Sequence, residues 1–174
     1  MSRAEEPPES GRGVHGIGKA VELFVAAYCM LASSGELKVS TSFIDDEGVD
    51  LVFNRWGRST TLAIQVKSRT TEAVTVKKNS FSADVKRSTF QPRLGFYVLF
   101  TVIDRPTARL GPMWLVPSTA LESRSPGKEK IRFQANVNPS GGGQWDQYFI
   151  TQAELPSTIL SILDKLTASP TEKD

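Results

Sequence analysis

Two neighbouring apolar segments carry polar side chains at alternate positions, and this pattern strongly limits the folds open to the chain. The segments read GVDLVFNR at 48–55 and TTLAIQVKS at 60–68, and the residues between them contain Gly57. An alternation with a period of two is typical of half-buried β-strands, and a glycine between two such runs marks a turn. The pattern predicts a β-hairpin that buries one face.

The register of this hairpin decides which side chains meet. A turn centred on residues 56–57 predicts that Asp50 lies opposite Ala63 and that Gly48 lies opposite Gln65. One face is then apolar, and the other carries the polar side chains, with small residues leaving space beside them.

Asp50, Gln65 and Lys67 share the polar face of the predicted hairpin. A carboxylate inside an apolar strand has to be paired, hydrated or bound to a metal ion. Pairing with Lys67 is one interpretation, although an exposed ion pair stabilises a fold by only ~0–1 kcal/mol. A site for Mg²⁺ is the other interpretation, because Mg²⁺ takes oxygen ligands, keeps several waters and often uses one or two carboxylates. Asp50 and the Gln65 amide would then supply oxygens, and Lys67 would stand beside the ion.

The elements around the hairpin predict a mixed α/β fold. A helix is expected from about Gly16 to Ser34, ending at Gly35, and a closing helix is expected at 152–166. The predicted inner stripe of the first helix is Ile17, Val21, Phe24, Tyr28 and Leu31. Strands are expected within 36–44, 95–103, 112–118, 130–137 and 146–151, with 79–86 as a short extended piece and 95–103 as the central strand. This order suggests a mixed sheet with helices packed on it.

Length and composition fit one globular domain. The chain has 174 residues, of which 39% are hydrophobic and 23% are charged. We expect one domain at 15–168 between a disordered segment at 1–14 and a disordered tail at 169–174. Because no apolar run is long enough to span a bilayer and the N-terminus lacks the apolar core of a signal peptide, a cytoplasmic protein without membrane contact is expected. Cys29 and His15 are single, which argues against disulfide frameworks and histidine-rich metal sites.

Positive charge is concentrated in the middle of the chain. Between Arg55 and Arg93 there are nine basic and two acidic residues, although the net charge of the whole chain is only +2. A polyanion would meet this segment first, whereas an ordinary solvated basic face is the alternative. The candidate nucleic-acid contacts are Ser68, Arg69, Lys77, Lys78, Lys86 and Arg87. Phe81 and Phe90 lie among them, and we expect both to be packed in the core.

The hairpin and the helix before it resemble the core of the PD-(D/E)XK nuclease superfamily, which has the restriction-endonuclease-like fold. The family motif is an Asp on one strand and an acid-x-Lys on the next. Asp50 matches the first position, and Gln65-Val66-Lys67 matches the second with Gln in place of the acid. Many members carry a helical Glu near the metal, and Glu22 matches that position. The resemblance covers about residues 16–69.

The resemblance implies a Mg²⁺-dependent DNA endonuclease, for which Mn²⁺ would substitute. Asp50, Gln65 and Glu22 would be the metal ligands, and Lys67 would position the attacking water. Cutting both strands of a duplex needs two sites, so a homodimer is compatible with this function.

Two other functions remain open from the sequence alone. The Gln at position 65 lowers the negative charge of the site, so a catalytically inactive nucleic-acid-binding domain on the same fold is one alternative. A non-enzymatic interaction domain is the other. DNA and RNA are not distinguished by the sequence.

Overall fold

A computed structural model describes residues 12–41, 48–124 and 127–168, with side chains described from residue 16 onwards. The helices are α1 (Arg12–Ala32), α2 (Val74–Lys77), α3 (Ser118–Ser123) and α4 (Leu155–Ala168). The strands are β1 (Leu37–Thr41), β2 (Leu51–Arg55), β3 (Thr61–Thr70), β4 (Ser80–Lys86), β5 (Phe96–Asp104), β6 (Arg109–Pro117), β7 (Lys130–Asn136) and β8 (Phe149–Ile150). The predicted disordered ends lie outside the described residues, except that residues 12–14 belong to α1.

Six strands form one mixed sheet in the order β1-β2-β3-β5-β6-β8. β3 and β5 are parallel, and the other neighbouring pairs are antiparallel. The parallel pair requires a long crossover, and residues 71–95 supply it. The predicted fold class, a mixed α/β sheet flanked by helices, is confirmed, and the strand within 95–103 is central as expected.

One face of this sheet is covered by helices α1 and α4. Val21 and Val25 of α1 and Ile159 of α4 are buried against Ile64 and Val66 of β3. The spacing of the apolar residues in both helices explains this packing, because residues three or four apart share one helix face.

The other face is covered by a second, two-stranded sheet made of β4 and β7. Phe81 of β4 and Phe133 of β7 pack on Phe100 of β5 and Trp114 of β6. The rings of Phe100 and Phe133 are stacked, with centroids 3.8 Å apart and planes 7° apart. Phe81 and Phe90 are therefore core residues, as predicted, with 0% and 4% of their surface exposed.

The predicted hairpin exists, but its predicted register is wrong. Leu51 pairs with Ile64 and Val52 pairs with Ala63, so Ala63, the partner predicted for Asp50, lies opposite Val52. The connection between the strands is five residues long, 56–60, rather than a tight turn, and this moves the pairing by two residues. A shift by two keeps Leu51 and Phe53 on the apolar face, but Val49, which was predicted to lie there too, packs on the opposite side of the sheet.

Three further differences concern individual elements. Leu31 is 80% exposed and not part of the inner stripe of α1, because it lies ~200° around the helix from the buried Cys29 at ~100° per residue. Residues 79–86 form the full strand β4, and the last predicted strand shrinks to β8 after a 3₁₀ turn at Asp146–Tyr148. The short helices α2 and α3 were not predicted, because each has few residues and no apolar periodicity.

Within the described ranges, no helix is both long and apolar enough to cross a membrane.

Candidate functional site

Asp50 is held against the middle of β3 by two hydrogen bonds. Its backbone N–H donates to the carbonyl of Ile64 (3.0 Å), and its carboxylate Oδ2 accepts from the backbone N–H of Val66 (2.6 Å). The side chain is half-buried. A charge-assisted bond of this length fixes the carboxylate where β2 begins, next to Gln65.

Gln65 is a buried amide with an unused acceptor. Only 6% of the residue is exposed, and its Oε1 is fully buried with no hydrogen-bond partner among the described residues. Leaving a buried amide oxygen unpaired costs ~1–3 kcal/mol, so such an atom requires an explanation. A ligand that binds to Oε1 would supply one.

Gly48 allows the Gln65 amide to occupy its position. A Cβ at Gly48 would lie 2.8 Å from Gln65 Nε2 and 3.3 Å from the carbonyl oxygen of Thr89, and the φ of Gly48 is +64°. The amide is therefore enclosed between Gly48, three positions before β2, and the 3₁₀ turn after β4, at Arg87–Thr89. The predicted free space at Gly48 is filled by the Gln65 side chain itself.

Lys67 follows two residues after Gln65 on β3, and both side chains project from the same face. In the parallel pair with β5, Gln65 lies beside Val98 and Lys67 beside Phe100. Lys67 is half-buried and makes no hydrogen bond or ion pair with another residue in the described part of the chain. A half-buried ammonium group of this kind remains available to an anion.

The donors at this point fit a small oxygen-seeking cation. The Asp50 carboxylate, just before β2, is bound to Val66, the residue after Gln65 on β3, and Mg²⁺ accepts a carboxylate with an amide oxygen when waters or phosphates complete the set. Among the described residues there is no group of three or more His, Cys, Asp or Glu that could hold a metal ion. The candidate ligands are therefore one carboxylate and one amide, and together they carry less negative charge than a site made only of carboxylates.

Glu22 lies apart from this pair in its contacts. It belongs to α1, which packs on the Ile64 and Val66 side of the sheet, and its Oε2 is 2.8 Å from Nζ of Lys19. Its side chain is 15% exposed. Asp50 thus contacts β3 next to Gln65, whereas Glu22 forms an ion pair with Lys19, which lies three residues earlier on α1. The role of Glu22 as a metal ligand stays a prediction.

The predicted nucleic-acid contacts divide into two groups on β3. Arg69 projects from the same face as Lys67, and it is close enough to Asp84 of β4 to help lower the pKa of that carboxyl group. Ser68 projects from the opposite face, since it lies beside Thr101, whose neighbours Leu99 and Ile103 face the helices. Arg69 therefore belongs to the polar face of the site, whereas Ser68 does not.

The remaining predicted contacts lie around α2 and the end of β4. Lys77 and Lys78 are exposed at the end of α2, and Lys86 is exposed at the end of β4. Arg87 is bound to Glu122 of α3, with both carboxylate oxygens at 2.6 Å from its Nη1. The guanidinium of Arg87 thus fastens α3 to the end of β4, and this structural role was missed.

The prediction also omitted the basic side chains of β7. Lys130 and Arg132 are exposed, and Arg132 binds Asp84 across the strands with Nε 3.0 Å from Oδ1. Arg132 lowers the pKa of Asp84 by this hydrogen bond, more than by charge alone, and Asp84 in turn raises the pKa of Arg132. The alternation in KIRFQAN, residues 130–136, could have indicated these basic side chains, because its basic and amide residues occupy every second position and therefore face one side of a strand.

The six-stranded mixed sheet with flanking helices defines a nuclease-like α/β fold. Among solved structures, the chain is similar to the bacterial homing endonuclease I-Ssp6803I, with a TM-score of 0.54 and 13% sequence identity. The match covers 88% of this chain and 97% of that protein, so it includes nearly all of both folds. No protein-family model matches the sequence, and no curated protein matches it.

Proposed function

We propose that this protein is a metal-dependent DNA endonuclease that hydrolyses phosphodiester bonds. One observation carries the proposal: the Asp50 carboxylate is fixed on the backbone N–H of Val66, between Gln65, whose Oε1 is buried and unpartnered among the described residues, and Lys67 on the same face of β3 as Gln65. The likeness of the fold to a homing endonuclease supports the same function.

Four residues have roles in this proposal. Asp50 and Gln65 would hold Mg²⁺, or Mn²⁺ in its place, and Glu22 would be a third oxygen ligand. A cation bound there would polarise the phosphate and lower the pKa of a bound water. Lys67 would orient the attacking water and stabilise the negative charge that develops on the phosphate in the transition state. The Val66 N–H keeps the Asp50 carboxylate aimed in one direction.

The Gln65 amide makes the site dependent on its substrate. Because the amide is neutral, the protein offers the cation less negative charge than two carboxylates would. Phosphate oxygens of DNA would supply the missing charge, so we expect metal and DNA to bind cooperatively. The basic residues Arg69, Lys77, Lys78 and Lys86 would hold the backbone of the duplex.

Lys67→Ala tests the proposal, with Lys38→Ala as the control. Lys38 is also a half-buried strand lysine, but it lies over the ring of Trp56 at 4.3 Å, at the other end of the hairpin. With supercoiled, linear and branched DNA plus Mg²⁺ or Mn²⁺, Lys67→Ala should lose cleavage and keep its fold, whereas Lys38→Ala should cleave. Equal cleavage by Lys67→Ala and the parent protein would refute the assignment.

The same assay separates the other functions. DNA binding without nicking by the parent protein would indicate an inactive binding domain on this fold. Absence of DNA binding at low salt would indicate an interaction domain, because contacts to phosphates weaken steeply as salt rises. Sedimentation of the protein with and without duplex would show whether two copies assemble to cut both strands.

A further inference from the structure

The sheet of β4 and β7 is a two-stranded antiparallel ribbon with a polar outer face. The strands pair over seven residues, from Ser80 with Asn136 to Lys86 with Lys130. Within the described ranges neither strand pairs with any other strand. The inward side chains, including Phe81 and Phe133, are buried, so the outward ones alternate with them and form a separate surface.

The outer face of this ribbon carries side chains that recognise bases. The outward residues are two serines of β4 together with Asp84, Lys86, Lys130, Arg132, Gln134 and Asn136. In the DNA major groove, Arg and Lys pair with guanine, Asn and Gln pair with adenine, and Asp accepts from cytosine.

The contacts on the ribbon orient Arg132 while leaving part of it free. Its Nε and Nη2 are 3.0 Å and 3.4 Å from the two carboxylate oxygens of Asp84. The side chain of Arg132 is nevertheless 69% exposed. Asp84 therefore restricts the conformations of the guanidinium group, which reduces the entropy cost of a specific contact.

The dimensions of the ribbon fit the major groove. A two-stranded ribbon has the width that the major groove of B-DNA admits, and its twist follows the twist of the duplex. The six steps of ~3.4 Å between its seven paired residues span ~20 Å, which corresponds to about six base pairs. The outer face bears three basic residues, Lys86, Lys130 and Arg132, against one acid, so its charge complements DNA.

The ribbon also lies next to the candidate site. Asp84 is within electrostatic reach of Arg69, which projects from the same face of β3 as Lys67. Arg69 thus links the ribbon to β3, the strand that carries Lys67.

We propose that the outer face of β4 and β7 enters the major groove and reads about six base pairs by direct contacts from Arg132, Gln134 and Asn136. This inference rests on the proposed endonuclease function and adds sequence specificity to it. Asp84 is a positioning residue that holds Arg132, and Lys86 and Lys130 contact the phosphates on either side.

Selection from a randomised duplex pool tests the inference without any cleavage. Binding is measured in EDTA, so the result does not depend on metal or on hydrolysis. The parent protein should select a motif of about six base pairs. The double variant Arg132→Ala/Gln134→Ala should lose base preference at two or three positions of the motif. Its affinity for the selected duplex should fall about tenfold or more, whereas its affinity for an unrelated duplex should change less than about threefold. Thermal unfolding checks that these exposed substitutions leave the fold intact.

Two controls make the comparison specific. Arg58→Ala removes an equal charge from the exposed 56–60 connection and should leave the motif unchanged. Replacing guanine by 7-deazaguanine removes one major-groove acceptor, and it should weaken binding by the parent protein but not by Arg132→Ala. A duplex RNA of the selected sequence should compete poorly, because its major groove is too narrow for the ribbon.

The outcomes separate this inference from the proposed function. A selected motif that depends on Arg132, together with no cleavage in Mg²⁺, supports the ribbon and refutes the endonuclease. Cleavage together with an unchanged motif in the ribbon variant refutes the ribbon and retains the endonuclease. Absence of duplex binding, selection of no motif, or equal competition by duplex RNA overturns the inference.

Discussion

The carboxylate of Asp50 accepts a hydrogen bond from the backbone N–H of Val66 at 2.6 Å, and this bond places it beside Gln65. The bond has two functions that substitutions can separate. It satisfies a strand N–H that β2 does not reach, and it fixes the direction of a carboxylate proposed to bind metal.

The Asp50→Asn variant should retain the fold but should no longer bind the metal ion. The amide oxygen can still accept from Val66, but the negative charge is gone. Asp50→Ala should in addition lower the free energy of unfolding by ~1–3 kcal/mol, because the Val66 N–H loses its partner. Denaturant unfolding and calorimetric titration with Mn²⁺ measure the two effects. Equal Mn²⁺ affinity in Asp50→Asn and the parent protein would exclude Asp50 as a ligand.

Gln65→Leu should remove function without reducing stability. Leucine is one atom shorter than glutamine, but it has a similar volume and no buried acceptor, so the protein should be as stable as the parent or more stable. Metal binding and cleavage should be lost, because Oε1 is the proposed ligand. Gln65→Glu adds a charge and should bind Mn²⁺ at least tenfold more tightly in the absence of DNA. A loss of stability in Gln65→Leu would mean that Oε1 has a structural partner.

Gly48→Ala should damage the site more than the fold, and Gly57→Ala is its matched control. Both glycines have positive φ, +64° and +72°, so each alanine should cost ~1–2 kcal/mol in backbone strain. Only at Gly48 would the new Cβ meet the Gln65 amide, since nothing lies within 4 Å of the position at Gly57. Cleavage should therefore fall in Gly48→Ala and persist in Gly57→Ala. Equal activity of the two variants would show that the position of the Gln65 amide is not important.

Cys29 should be protected from thiol reagents until the protein unfolds. It is fully buried on α1, and burial raises the pKa of its thiol from 9.0 to about 12. The unfolded chain therefore ionises first, so this thiol stabilises the fold below pH 9.0 and loses that contribution as the pH rises towards about 12. Labelling rates in rising denaturant measure the protection.

Cys29→Ala provides the control for this pH dependence. The variant should be less stable near neutral pH because of the smaller side chain, but its stability should decline less between pH 9.0 and about 12. Rapid labelling of the folded parent protein at neutral pH would contradict the burial of the thiol.

The fold was largely predictable where apolar periodicity is strong. β3 and β5 read as strands because apolar or alternating residues continue over their whole length. Leu31 was misplaced because hydrophobicity alone does not determine which side of a helix faces the sheet. β4 was predicted only as a short extended piece because its partner β7 lies about 45 residues further on, and such long-range pairing leaves little local signal.

The candidate residues could be selected from the sequence, but the register that positions them could not. Because side chains alternate along a strand, Gln65 and Lys67 lie on one face and Ser68 on the other, whichever residues β3 pairs with. The partner of Asp50 depended on the length of the connection at 56–60, which sequence patterns define poorly. The outward row on β7 was missed because its neighbours across the sheet come from β4, and only the pairing shows that the two rows form one surface.

The stack of Phe100 on Phe133 joins the two sheets through a pair of flat rings, without a flexible connection. A nuclease whose DNA-recognition domain is attached by a flexible linker can cut at variable distances from its recognition sequence. In this protein the strands proposed to read bases pack on β5, which pairs with β3, so the distance between the recognised bases and the cut phosphate would be set by the fold.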